Sequence, residues 1–183
     1  MAALALLLHA LGHKITGSDT EDVFYTDAML HSAGIPYYTH FSPSNIPKDI
    51  EMVIYSAAYT RENNVELAFA KQNCTTYSYP EALGLYSQMQ DSWAVIGTHG
   101  KTSCTALIGA LARSQNLPVS AITGARVAAF NDNACFMDGA EAFIAEVCEY
   151  RGHLMNFIPT GIVFLNAEWD HTDYFKHEQE VFQ

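Results

Sequence analysis

Positive charge is scarce in this chain. Nine Lys and Arg stand against 20 Asp and Glu, a formal net charge of -11. Nine cations cannot coat a phosphate backbone, so a nucleic-acid-binding protein, which carries a basic face, is excluded. Acidity does not exclude a small phosphorylated ligand, because backbone amides at a helix N-terminus and one lysine can hold it. Cysteine is sparse too. Cys74, Cys104, Cys135 and Cys148 form no C-x-x-C pair, which argues against a zinc site or a disulfide framework. Reduced thiols in a cytoplasmic protein are the expectation. Long apolar runs are also missing. The stretch "ALALLLHALGH" has no basic flank and no small-residue cleavage site, and it is too short for a bilayer. Signal peptide and membrane span are both excluded there.

The composition that is present is globular, with 49% hydrophobic and 16% charged residues over 183 positions. Strand-like and helical runs alternate, which predicts an α/β fold with a mainly parallel sheet. A buried helix is expected from Ala2 to Leu11, ended by Gly12, then a strand from His13 to Thr16. A domain opening on such a helix usually has a strand before it, so the first strand is expected to be missing. "IPYYTH" and "DIEMVIYSAA" read as strands, the latter apolar from Met52 to Tyr55 as if covered on both faces. "RENNVELAFAKQN" reads as a helix, "TTYSY" as a short strand, and "PEALGLYSQMQ" as a helix with proline first.

A second series starts at "WAVIG". It continues with a helix from Lys101 to Ser114, a strand around Pro118 to Thr123 and a looser stretch to Gly139. "EAFIAEV" and "TGIVFLN" are further strands, and "KHEQEVFQ" begins to resemble a helix. The expected domains are therefore residues 1–90, Rossmann-like, and residues 91–183. No internal repeat or low-complexity segment is visible.

Chemistry concentrates in "WAVIGTHGKTSCTALIGALA". An apolar strand enters a glycine turn, and a helix starts at the lysine. Unpaired N–H groups and the positive end of the helix dipole then point at one place, where an anion is stabilised. Lys101 adds a mobile charge for outer phosphates, and the Thr102 hydroxyl is a candidate magnesium ligand. The common phosphate loop has four residues between its first glycine and Gly-Lys-Thr; here that count lands on Val95.

Two later strand ends add polar groups. Glu146 closes "AFIAE", on the rim where ligands bind in parallel sheets, and a carboxylate there can complete a magnesium site. Beyond "GIVFL" crowd Asn166, Glu168, Asp170, His171 and Asp173, with His171 a candidate metal ligand. In the first half, Ser18 and Asp19 follow a strand at a place where Rossmann-like units hold ribose hydroxyls. Ser56, Ala57 and Ala58 form a turn of small residues that admits a diphosphate. Each feature alone also has a plain local explanation as a turn or solvated strand end.

With "GTHGKTSCTALIGAL", "AEVCEY" and "LNAEWDHTDYF" in this order, the chain resembles the Mur ligases, ATP-dependent amide-bond formers of peptidoglycan synthesis. The family uses the shorter Gly-x-x-Gly-Lys-Thr loop, which answers the objection at Val95. The histidine in that loop and "LALLLHALGHKITGSD" point to the alanine-adding branch, although the tripeptide-adding branch shares these motifs. The resemblance implies that Gly97, Thr98, His99, Gly100, Lys101, Thr102 and Ser103 wrap the ATP phosphates. It implies magnesium (Mg2+) at Thr102, Glu146 and His171, catalytic roles for Lys101, Glu146 and His171, and cofactor contact by Asn166. Ser18, Asp19, Ser56 and Ala57 fall where the family binds the UDP part of UDP-N-acetylmuramate, with L-alanine as second substrate.

Three departures stand out. The family's first strand and glycine-rich loop should precede Met1, Val147 and Cys148 replace an alanine and an acid of many relatives, and the family continues past Gln183. The chain alone is therefore expected not to ligate, and its exposed sheet edge invites self-association. A non-catalytic truncated homologue that binds nucleotide or a partner is the alternative. An unrelated phosphate-loop phosphotransferase would require the Glu146 and His171 elements to be coincidence.

Overall fold

A computed structural model describes residues 1–148, 150–169, 174, 176 and 177, with only the backbone given for 150 and 151. The chain divides into two compact units, Met1–Ala82 and Leu83–Gln183.

The first unit alternates short strands and helices. It contains α1 (Ala2–Ala10), β1 (Gly17–Ser18), α2 (Tyr25–Ser32), β2 (Tyr37–Tyr38), β3 (Val53–Tyr55), α3 (Val65–Asn73) and β4 (Thr76–Ser78). β1 pairs in parallel with β2, and β3 with β4, as two separate two-stranded sheets. Helix α1 buries only Leu4 and Leu7, one turn apart, so it is a half-buried helix rather than the fully buried one expected. The strand expected at His13 to Thr16 forms later, at Gly17–Ser18. β3 is half-buried along its length and Met52 is exposed, so it is not covered on both faces. Helix α3 starts where the Asn64 side chain accepts the Leu67 N–H at 2.9 Å, satisfying a first-turn donor.

The division between units falls within α4 (Tyr79–Ser87), whose first residue is Tyr79 rather than Pro80. The second unit holds β5 (Asp91–Ile96), α5 (Lys101–Ser114), β6 (Val119–Val127), β7 (Asn133–Met137), β8 (Ala142–Glu146) and β9 (Gly161–Phe164). They form one sheet in the order β7-β6-β8-β5-β9, parallel except for β7. The stretch read as loose up to Gly139 thus contains a strand, and β6 runs on to Val127. Asn131 and Asp132 both take left-handed backbone in the turn between them.

Packing fixes this sheet on both faces. Val95, Val119, Ala121, Phe130, Phe136 and Ile144 form one core cluster with Ala112 of α5. On the alternate residues, Phe143 is fully buried and meets Tyr86 edge-on, with ring centroids 4.7 Å apart. Burying each such aromatic side chain is worth roughly 1.5–3 kcal/mol. Cys135 is buried within β7 and its thiol is pushed up to about 11 by desolvation, which makes it a packing residue with an inert thiol. Because β5, β6, β8 and β9 are parallel, their carboxyl ends share one rim. No helix among the described residues is long and apolar enough to cross a membrane.

Candidate nucleotide site

The rim begins at Ile96, where β5 ends. Gly97 follows with φ +143, and a Cβ there would lie 3.0–3.1 Å from Asn166 backbone atoms and the Leu165 Cβ. Only glycine supplies both that conformation and that close approach. Gly100 is left-handed at φ 85 and caps α5, which starts at Lys101 as the sequence predicts. The first helical bond is Cys104 N–H to the Gly100 carbonyl, at 2.9 Å. The N–H groups of Lys101, Thr102 and Ser103 therefore lie ahead of the helix's own ladder, where the dipole favours an anion. The Lys101 ammonium donates to the Gly97 and Thr98 carbonyls, at 2.5 and 3.2 Å, which holds its charge over the loop.

The turn after β9 is pressed against this loop. The Thr98 N–H donates to the Asn166 carbonyl at 3.3 Å. The Asn166 side chain meets the His99 backbone twice: Oδ1 accepts the His99 N–H at 2.9 Å, and Nδ2 donates to the His99 carbonyl at 3.0 Å. The Thr98 hydroxyl and the Glu168 backbone bond in both directions, with 2.8 Å from the Glu168 N–H and 3.2 Å to its carbonyl. His99 Nε2 also lies 3.8 Å from Glu168 Oε2 at the exposed surface of the loop. Two amides of the loop, those of Thr98 and His99, are thus engaged by Asn166.

Glu146 ends β8 beside β5, with Val95 as its register partner. Its Oε2 is buried and has no hydrogen-bond partner among the described residues. A Cβ at Gly124 would collide with Oε1, so the glycine on β6 leaves the carboxylate its space. The Thr123 hydroxyl, donating to the Ala125 and Ala134 carbonyls, holds β6 in its irregular course beside that glycine. A buried carboxylate oxygen left unpartnered is costly unless a proton or cation meets it, so this oxygen has the chemistry of a ligand to a hard divalent ion. Thr102 is half-buried in the first turn of α5. His171, Asp170 and Asp173 lie outside the described residues. Among the described residues no group of three or more His, Cys, Asp or Glu is assembled for a metal.

The first unit gathers a second set of groups. Asp19 accepts the Thr20 N–H at 2.8 Å, and its own N–H donates to the Tyr38 carbonyl. The Ser18 hydroxyl accepts from Asn45 Nδ2 at 3.1 Å. Asn45 is buried and also donates to the His40 carbonyl and to Glu66 Oε2. Glu66 Oε2 in turn accepts the Ser42 N–H at 2.9 Å, tying the 40–45 loop to α3. Ser56 Oγ accepts the Ala58 N–H at 3.3 Å in a tight turn, with Ala57 exposed beside it. Tyr59 stacks edge-on with Phe41, and burial with the charges of Asp19 and Asp22 raises its hydroxyl above the ordinary value. Asn45, Phe41 and Tyr59 are absent from the sequence reading. Their signal was one polar and two aromatic residues in loops, which by itself marks nothing.

Fold and rim together define the class: a Rossmann-like unit followed by an α/β unit with a short phosphate loop on its carboxyl rim. The description "Mur ligase family, catalytic domain" matches residues 1–90, and "Mur ligase middle domain" matches residues 95–183. The chain belongs to the Mur ligase family. It is 43% identical over 182 residues to the UDP-N-acetylmuramate–L-alanine ligase of Treponema pallidum (strain Nichols), covering 99% of this chain and 38% of that protein. The ligase of the same name from Desulfitobacterium hafniense is 42% identical over 183 residues, covering 99% and 40%. The chain therefore spans about two-fifths of the length of these relatives. Among solved structures, the UDP-N-acetylmuramate–alanine ligase of Thermotoga maritima superposes with a TM-score of 0.80 at 21% identity, over 100% of this chain and 42% of that one. A murein peptide ligase from Psychrobacter arcticus gives 0.81 at 21%, over 100% and 43%. At that identity these two speak for the fold alone.

Proposed function

We propose that this chain carries the nucleotide-phosphate site, and part of the UDP-sugar site, of a ligase that joins L-alanine to UDP-N-acetylmuramate with ATP in peptidoglycan synthesis. The observation that carries the reading is the rim itself: a glycine-hinged phosphate loop with Lys101 above it and the unpartnered Glu146 oxygen at a neighbouring strand end. The names of the relatives supply the substrates. Their identity favours the alanine-adding reading over the murein peptide one, which the fold does not separate.

In the proposed reaction a carboxylate oxygen of the muramate attacks the γ-phosphorus of ATP and ADP departs, giving an acyl phosphate. The amine of L-alanine then attacks the acyl carbon, inorganic phosphate leaves and the amine loses its proton. The Gly100–Ser103 amides bind phosphate oxygens, and Lys101 offsets charge on the outer phosphates as it spreads in the transition state. Thr102, Glu146 and His171 are the proposed holders of Mg2+, which supplies charge neutralisation on the transferring phosphoryl group. Ser18, Asp19, Ser56 and Ala57 are proposed to hold the UDP portion, in a cytoplasmic enzyme.

Calorimetric titration with ATP and Mg2+ tests the loop. The intact chain is expected to bind, and Lys101→Ala to bind at least tenfold more weakly; equal affinities would remove the loop from the account. Alanine-dependent phosphate release by the 183-residue chain is expected to be nil, and its detection would overturn the proposal that this chain alone is inactive.

A further inference from the structure

We propose that Asn166 is a positioning residue that sets the shape of the phosphate loop and does not itself touch the nucleotide. The inference rests on the nucleotide reading above and concerns how a loop two residues shorter than the common one keeps its form. A phosphate loop works by holding several N–H groups convergent before the anion arrives. Here that holding comes from outside the loop. Both polar atoms of the Asn166 amide are matched to the two backbone groups of His99, donor to carbonyl and acceptor to N–H.

The Asn166 backbone carbonyl takes the Thr98 N–H, and the Thr98 hydroxyl is bonded both ways to the Glu168 backbone. The approach is tight enough that a Cβ on Gly97 would crowd Asn166 and Leu165. Residues 98 and 99 therefore form the braced half of the loop, and Gly100 to Ser103 the half that faces an anion. Each polar atom of the side chain makes a bond to the His99 backbone, which ties the amide to the loop. The side chain fixes the peptide immediately before Gly100, whose left-handed φ aims the α5 amides.

Amide NMR of the 15N-labelled chain titrated with ATP and Mg2+ separates the two halves. The account expects the Gly100–Ser103 resonances to move and those of Thr98 and His99 to stay near their free positions, with the His99 N–H protected from exchange throughout. Asn166→Ala should raise His99 exchange at least tenfold and weaken ATP about tenfold, which is about 1.4 kcal/mol. The Val95 amide in β5 should keep its protection, which shows that the sheet is intact. A His99 shift as large as that of Gly100, or wild-type ATP affinity in Asn166→Ala, would overturn the positioning role. Should that variant not fold, the wild-type map alone decides. No shift at any loop amide would instead remove the nucleotide reading, and the inference with it.

Discussion

The two units hold their polar groups in different ways. At the second unit's rim, Gly97, Glu146 and Asn166 sit at the ends of strands packed into one five-stranded sheet, so each is placed by a ladder continuing into a buried core. In the first unit, Ser18 ends a strand of two residues and Ser56 follows one of three, in two separate sheets. The placement of Ser18 depends on side chains: Asn45 and Glu66 reach across 21 to 27 residues of sequence to fix Ser18 and the 40–45 loop. At the rim the sheet supplies the frame and the Asn166 amide braces the loop on it; at Ser18 there is no such frame, and the buried Asn45 amide stands in its place.

That contrast orders the expected effects. The largest is Gly97→Val, where a β-branched side chain meets both a disfavoured φ and the Asn166 backbone. ATP binding should fall below detection by calorimetry, and an affinity near wild type would show that the close approach is not needed. Smaller is Asn45→Ala, which leaves the Ser18 hydroxyl and the Glu66 carboxylate each short of a partner and should cost about 2 kcal/mol. Trp93 and Trp169 are the chain's only tryptophans and both lie in the second unit. Urea unfolding should therefore shift to lower concentration by circular dichroism, with the tryptophan transition little changed. A shift of both transitions by the same amount would erase the distinction between the units.

The smallest effect belongs to Glu81, whose carboxylate accepts the Ser78 N–H and hydroxyl, both at 2.7 Å. Those bonds lower its pKa. A lowered carboxyl pKa contributes stability present above the unfolded value and lost as pH falls through the folded one. Glu81→Gln should flatten a slight loss of first-unit stability on acidification, seen by circular dichroism; an unchanged acid limb would discount the bond.

Much of the second unit was legible because its features follow from local chemistry. A glycine turn before a lysine at a helix start constrains φ and charge together, and Glu146 is read from the end of an apolar strand. The helix from Lys101 to Ser114 follows the same logic. β7 escaped because its five residues follow a turn at Asn131 and Asp132 whose two left-handed residues only become a hairpin signal once β6 is known to pass Thr123. The hydrogen bonds of Asn45 and Asn166 were hidden for a related reason. Their partners are set by tertiary contact, and an amide in a loop carries no periodicity to betray it.

In the proposed function Glu146 and the loop are two parts of one magnesium–nucleotide site. The most direct measurement is ATP affinity with Mg2+ and with EDTA, for the wild-type chain and for Glu146→Gln. Mg2+ is expected to strengthen binding to the wild type by roughly several-fold or more, and Glu146→Gln to lose most of this gain while keeping its metal-free affinity. An equal Mg2+ effect in both proteins would contradict it.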